Sequence, residues 1–302
     1  MPIPHRVHKQ MIQRRLVGKE GGERIRELRA ILTELPDYKN GPYADLRKWV
    51  NAQIDAARIR KKAVHRDSIS VRREGVAQIA LVGAPNAGKS SLLQALSSIQ
   101  IKTGDYAFTT TRPVPAVVTL RGVRVQLVEI PGLIEGASED RGGGRALLGV
   151  LRGADAIVFC LPANAPLDEL ALIRDEVAAA GIEKRAILAV TKLDEADESR
   201  VDRIGRAVGL PAIGVSVLDD ARLEAFRDRL WELTGLMRVF LRGEPFALEP
   251  GATVLDAAHA VHHELGESCI GATITGPSAK FDGQRVGREH VLADDDEVDL
   301  LS

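Results

Sequence analysis

Hydrophobic and polar positions along the chain follow two different periods, and the change between them falls near residue 76. Ile25, Leu28, Ile31, Leu32 and Leu35 recur at three- and four-residue spacing, which predicts an amphipathic helix that Pro36 stops. Gly18, Gly21 and Gly22 are expected to break the earlier part of residues 8 to 35. After the turn-forming stretch DYKNGP, Leu46, Trp49, Val50, Ile54 and Ala57 repeat the helical period, so residues 1–75 read as a helical hairpin. From Val76 onward, short apolar runs alternate with helical stretches: VAQIALV, AVVTL, VRVQLVEI, AIVFCL, AILAV and AIGV, each bounded by turn residues. Such runs suit strands covered on both faces, and their alternation with helices predicts an α/β fold with a mostly parallel sheet over residues 76–235. Residues 236–302 carry a strand-like MRVFL, one helix in ATVLDAAHAVHHELG and further short strands, which predicts a separate small α+β domain.

Composition narrows this picture. A chain of 302 residues with 45% hydrophobic content is long enough for one sizeable core and one or two smaller units. It has no apolar run of the roughly 18 residues that a membrane helix needs. Its opening MPIPHRVHKQ has no apolar stretch of the signal-peptide kind, so a cytoplasmic protein without membrane association is expected. Cys160 and Cys269 read as buried thiols in a reducing compartment. The net charge of -1 conceals an asymmetry: residues 1–75 hold 18 Lys and Arg against 9 Asp and Glu, and the remainder 23 against 33. The basic head is expected to contact the phosphate backbone of a nucleic acid, with a solvated helical face as the alternative.

Candidate chemistry gathers at the ends of the predicted strands. Gly83-Ala-Pro-Asn-Ala-Gly88-Lys89-Ser90 fits GxxxxGKS, follows VAQIALV and opens the helical stretch SSLLQALSS. Glycines there turn backbone N–H groups onto phosphates, Lys89 brings a charge to the β- and γ-phosphates, and Ser90 offers a ligand to Mg2+. Gly83, Ala84, Pro85, Asn86, Ala87, Gly88, Lys89, Ser90 and Ser91 form the expected phosphate-binding set. Thr191-Lys192-Leu193-Asp194 ends the strand AILAV, where Asp194 can accept from guanine N1–H and its amino group; adenine has no such donor pair. Lys192 is expected over the base plane, and Ser216 and Val217 beside the guanine oxygen. In YAFTTTRP a threonine is expected to reach magnesium only while a third phosphate holds the loop; Thr110 is favoured, with Thr109 and Thr111 the alternatives. In Glu129-Ile-Pro-Gly132 the carboxylate would hold magnesium through water and the Gly132 N–H would touch the γ-phosphate. His259, His262 and His263 read as parts of a core-and-surface helix, and Asp294 to Glu297 as a solvated turn.

GAPNAGKS, YAFTTTRPVP, EIPGLIEGA and TKLD together resemble the motif series of the Obg-like GTPases, in particular the developmentally regulated GTP-binding (DRG) branch. EPGATVLDAAHAVHHELG and GPSAKFDGQRVGREHVLADDDEVDLL resemble a TGS domain, and the basic helical head sits where that branch has its helical N-terminal domain. The resemblance implies a P-loop GTPase domain, a ubiquitin-like TGS domain that docks a protein partner, GTP and GDP as ligands, and a switch acting in translation or ribosome biogenesis. Asn86 stands where potassium-activated relatives ligate K+, which adds it to Lys89, Thr110 and Gly132 as a candidate catalytic residue.

The chain departs from that family in three places. Glu129 replaces the usual aspartate and Thr191 the usual asparagine. Where Ras-type GTPases put a water-orienting glutamine this chain has Leu133, so slow intrinsic turnover is expected; Glu135 is a further candidate beside that water, with a role in loop structure as the alternative. The stretch from Gly153 to Thr191 has no room for the domain that DRG proteins insert there. These departures keep open an alternative: a nucleotide-dependent scaffold, or an RNA-binding module, with little hydrolysis.

Overall fold

The computed structural model describes residues 5–16, 19, 21–36, 40–66, 71–97, 112–132, 144–195 and 197–302. Two compact units divide the chain, Met1–Ser68 and Ile69–Ser302.

Among the described residues the first unit contains three helices, α1 (His5–Arg15), α2 (Gly21–Glu34) and α3 (Pro42–Arg66), where the sequence suggested a hairpin. The extra helix is held by its own apolar pair: Ile12 and Leu16, one turn apart, join Leu28, Ile31, Leu35, Leu46, Val50 and Ile54 in one core. Arg47 Nη1 donates to the Leu32 and Leu35 carbonyls at 3.1 and 2.9 Å, which satisfies acceptors that the end of α2 leaves open. Arg15 is bridged to Glu27 and Glu34, and Lys19 to Glu27. The hydrogen bonds that Arg15 donates to Glu34 and Glu27 push its guanidinium further up. Part of the basic surplus of the head is therefore spent within the head.

In the second unit the larger sheet has six strands: β1 (Gln78–Val82), β2 (Val114–Leu120), β3 (Val123–Glu129), β4 (Ala156–Pro162), β5 (Arg185–Thr191) and β6 (Ala212–Gly214). Their order is β2-β3-β1-β4-β5-β6; β2 is antiparallel to β3 and every other neighbouring pair is parallel. Five helices cover it: α4 (Lys89–Leu96), α5 (Gly144–Gly153), α6 (Leu167–Ala179), α7 (Ser199–Val208) and α8 (Asp220–Thr234). Alternation along each strand feeds two cores. Ile79, Leu81, Val158 and Cys160 face one cluster with Leu93 and Phe226; Ala80, Val82, Ile157 and Phe159 face the other with Leu151 and Ile173. Both cysteines are free and buried.

A five-stranded sheet follows, from β7 (Met237–Leu241), β8 (Glu244–Leu248), β9 (Gly271–Thr275), β10 (Gln284–Gly287) and β11 (Glu297–Leu301), in the order β10-β9-β11-β7-β8. The single helix expected over ATVLDAAHAVHHELG is instead two, α9 (Val254–Val261) and α10 (His263–Ser268). Thr253 and Asp256 form a reciprocal cap that starts α9. His262 then leaves helical backbone at φ -162° and ψ 141°, and its side chain accepts from the Glu264 N–H. One residue thus ends the first helix and caps the second. The acidic run also differs from the solvated turn expected of it: Asp296 is fully buried and accepts from the Ser278 and Ala293 N–H groups. Asp295 pairs with Arg238, whose guanidinium also reaches the Arg121 carbonyl in the β2–β3 turn at 3.2 Å. No helix among the described residues is long and apolar enough to cross a membrane.

Candidate functional site

The loops leaving the C-terminal ends of β1, β3, β5 and β6 bring together most of the residues singled out above. The strand order reverses on either side of β1, and such a switch point opens a crevice at the C-terminal ends of the strands. Gly83 begins the first loop hard against β4: a Cβ there would lie 2.5 Å from the Cys160 carbonyl oxygen. Asn86, exposed, sits at φ 63°, and Gly88 at φ 82° directly precedes α4. An asparagine in the left-handed region is tolerated at a turn but uncommon, so the loop is folded around this shape rather than relaxed into it.

Lys89 is only 5% exposed and donates to the Gly83 and Ala84 carbonyls, both at 2.8 Å. Burial pulls its ammonium down from the ordinary value, opposed by the neighbouring Cys160 and Glu129. Burial pushes the Cys160 thiol up to about 12, so it stays protonated. Ser90 donates to Glu129 Oε1 at 2.6 Å. Glu129 is 3% exposed, and its Oε2 is buried without a hydrogen-bond partner among the described residues. A hydroxyl and a carboxylate, both oxygen donors, with one buried oxygen unsatisfied, fit a hard divalent cation such as Mg2+. Gly132 lies against the phosphate loop, where a Cβ would come 2.9 Å from Pro85 Cδ.

At the other side of the crevice, Thr191 ends β5 with its hydroxyl donating to the Ala87 carbonyl at 2.8 Å. The residue read from sequence as part of the base loop thus ties that loop to the phosphate loop. Lys192 is exposed at φ 54°, and Asp194 is exposed two residues on. Ser216, after β6, donates to Asp194 Oδ1 at 2.6 Å and accepts from the Leu218 N–H at 3.2 Å. Sequence reasoning assigned Ser216 a backbone contact and missed its hydroxyl; a serine just past a strand that neighbours β5 was the available signal. Val217 is exposed beside it, as is Ser91 at the start of α4. Thr109, Thr110, Thr111, Leu133 and Glu135 lie outside the described residues. Among the described residues no group of three or more His, Cys, Asp and Glu side chains gathers in the manner of a metal site.

Residues 78–192 match the family model described as a 50S ribosome-binding GTPase, and residues 237–302 match the TGS domain. An uncharacterized GTP-binding protein of Halobacterium salinarum is 30% identical over 314 positions that take in 77% of this chain and 85% of the relative. A developmentally-regulated GTP-binding protein 2 homolog of Dictyostelium discoideum is 27% identical, over 78% of this chain and 85% of its own. Among solved structures, the G domain of T. maritima FeoB overlays with a TM-score of 0.43 at 24% identity, covering 52% of this chain and 98% of that one. The alignments to the two relatives are longer than the part of this chain they contain, so both carry sequence that has no counterpart here. The Gly83–Ser91 loop tied to the loop after β5, joined to a TGS domain and matched along most of the chain by such relatives, leads to one assignment: this chain belongs to the DRG branch of the Obg-like GTPases, as a GTP-binding member without the usual inserted domain.

Proposed function

We propose that the chain is a slow GTP-hydrolysing switch that acts in translation or ribosome biogenesis. The observation that carries this reading is the Thr191–Ala87 hydrogen bond, because it makes the base end and the phosphate end of the crevice one mechanical piece. Asp194, oriented by Ser216, reads the guanine edge, and the Lys192 stem and Val217 flank the base. Gly83 to Ser91 wrap the phosphates, with N–H groups at the start of α4 and the Lys89 ammonium balancing their charge. Ser90 and Glu129 would hold Mg2+, which neutralises charge developing between the β- and γ-phosphates. Gly132 and Thr110 sense the third phosphate, and Asn86 takes part in holding K+. Leu133 offers the attacking water no hydrogen bond, which makes intrinsic turnover slow. That same residue favours a second reading, a nucleotide-dependent scaffold with little hydrolysis.

The ribosomal part rests on the 50S ribosome-binding description of the matching family and on the 18 basic residues of positions 1–75. Arg15, Lys19, Arg24 and Arg47 are engaged inside the head and Arg73 is paired with Asp155, so RNA contact falls to the remaining basic residues of positions 1–75. Residues 1–75, 76–235 and 236–302 serve as RNA-contacting head, switch and protein-docking module. The test is phosphate release from GTP and from ATP in potassium and in sodium buffers, run alongside co-sedimentation with large ribosomal subunits in the GTP-analogue and GDP states. Selective, potassium-stimulated GTP turnover with nucleotide-dependent co-sedimentation is expected. Equal rates in both salts would remove the potassium role, tight GTP binding without turnover would favour the scaffold, and no co-sedimentation would remove the ribosomal role.

A further inference from the structure

We infer that Glu129 binds the divalent cation directly, side by side with Ser90, rather than through an intervening water as the sequence reading had it. The inference rests on the nucleotide-binding reading above and deepens it at one residue. The end of β3 is fixed by its pairing: the registers Leu81↔Glu129 with β1 and Val114↔Glu129 with β2 hold the Glu129 backbone from both sides. From that fixed point the glutamate carboxyl is already in direct contact with the Ser90 hydroxyl, 2.6 Å from Oγ to Oε1, with no water between them. Magnesium holds its ligands in a near-ideal octahedron at about 2.0–2.1 Å, so two neighbouring ligand oxygens lie about 2.9 Å apart. The observed pair is therefore close to spanning one edge of such an octahedron before any ion arrives, and each oxygen needs only a small shift to share one cation.

Burial makes the direct bond the better outcome for the carboxylate. Glu129 is 3% exposed, and Oε2 has no hydrogen-bond partner among the described residues. A buried, unpaired carboxylate oxygen is costly, and direct ligation offsets that cost with a full positive charge at contact distance. A cation reached through water would leave Oε2 without a hydrogen-bond partner among the described residues other than that water, and Oε1 with the Ser90 hydroxyl. Aspartate at this position, shorter by one methylene, would draw the carboxyl back from Ser90 and open the gap that a water fills. The direct bond also puts one more anionic ligand on the ion, a set that Mn2+ accepts as readily as Mg2+.

The experiment uses the full chain with GDP, and Mn2+ as the probe. Retained GDP is first measured on the same sample by chromatography after desalting. In protein labelled with 13C-glutamate, pulsed electron–nuclear double resonance on the bound Mn2+ is expected to show the coupling of a directly bonded carboxylate. Counting water ligands with 17O-water is expected to give one fewer in the wild type than in Glu129→Asp. Retained GDP and Mn2+ with no glutamate coupling, or with equal water counts, would overturn the direct bond and leave the nucleotide site intact. A chain that retains no GDP overturns the nucleotide reading, and this inference with it. Should Glu129→Asp fail to fold, the coupling in the wild-type protein decides alone.

Discussion

At the end of the large sheet where β1 begins, Gln78 and Gln126 lie buried side by side, and Gln78 Nε2 donates to Gln126 Oε1 at 2.6 Å. Gln126 in turn donates to the Arg72 carbonyl at 2.9 Å and accepts from the Glu74 N–H at 3.3 Å, while Asp155 accepts from the Gln78 N–H at 2.8 Å. At the end where β1 leaves the sheet, Lys89, Glu129, Thr191 and Ser216 are buried, and among the described residues their polar atoms are not all answered. Among the described residues Glu129 Oε2 has no hydrogen-bond partner and Lys89 donates to backbone carbonyls, and Asn86 and Lys192 occupy left-handed backbone. Both ends are made of the same strands, so the difference lies in what the polar groups are for. One end satisfies them internally and contributes stability; the other holds them ready for a ligand, and an unanswered buried group costs about 1–3 kcal/mol until that ligand arrives. The closed end therefore supports the open one.

The largest effect that separates the two ends is expected from Lys89→Ala. Under the proposed function, removing this buried, hydrogen-bonded charge from beside the phosphates should cost about 2–5 kcal/mol of binding, enough to abolish measurable GDP affinity at micromolar protein. The far end should not notice, so the melting temperature measured without nucleotide should stay within a few degrees. Fluorescent-GDP titration and circular dichroism on the same preparation check both halves; retained affinity would mean that the phosphates lie elsewhere.

The opposite pattern is expected at the closed end. Gln126→Leu leaves the buried Gln78 amide unanswered and should lower unfolding stability by about 1–3 kcal/mol with GDP affinity unchanged. Adding Gln78→Leu should return part of that loss, because no orphaned group then remains between the pair. Denaturant unfolding of the two single variants and the double variant gives the coupling, and purely additive losses would show that the two amides do not depend on each other.

How much of this was legible in the sequence follows from the range of each interaction. The six strands of the large sheet were readable because their apolar runs are local, with both faces buried in β1 and β4, and GAPNAGKS was readable because its chemistry lies within eight consecutive residues. The break at His262 was not, since the residues around it keep a helical period and the backbone leaves it at a single position. Asp296 looked like a surface acid because its partners come from residues 278 and 293, and their approach depends on the fold of the small sheet. The Thr191 tether spans 104 residues of chain, and in sequence a threonine in place of asparagine reads only as a missing amide. The structure gives its hydroxyl a partner that no local pattern could supply.

That tether gives the smallest and most specific of the expected effects. Thr191→Val keeps the shape and the branching of the side chain and removes only the donor to the Ala87 carbonyl. A neutral hydrogen bond contributes about 0.5–1.5 kcal/mol, so GDP affinity should fall roughly three- to tenfold, with the change in the dissociation rate, because the two loops are no longer held at one spacing. Unfolding stability should drop by a similar amount, since the carbonyl is left without that donor. The informative quantity is the ratio between the two losses. A loss of stability with unchanged dissociation would place Thr191 with the closed end, as a structural bond that happens to lie near the crevice. A loss of affinity shared by GTP and GDP alike would place it with the open end, where it sets the distance between the residues that read the base and those that wrap the phosphates.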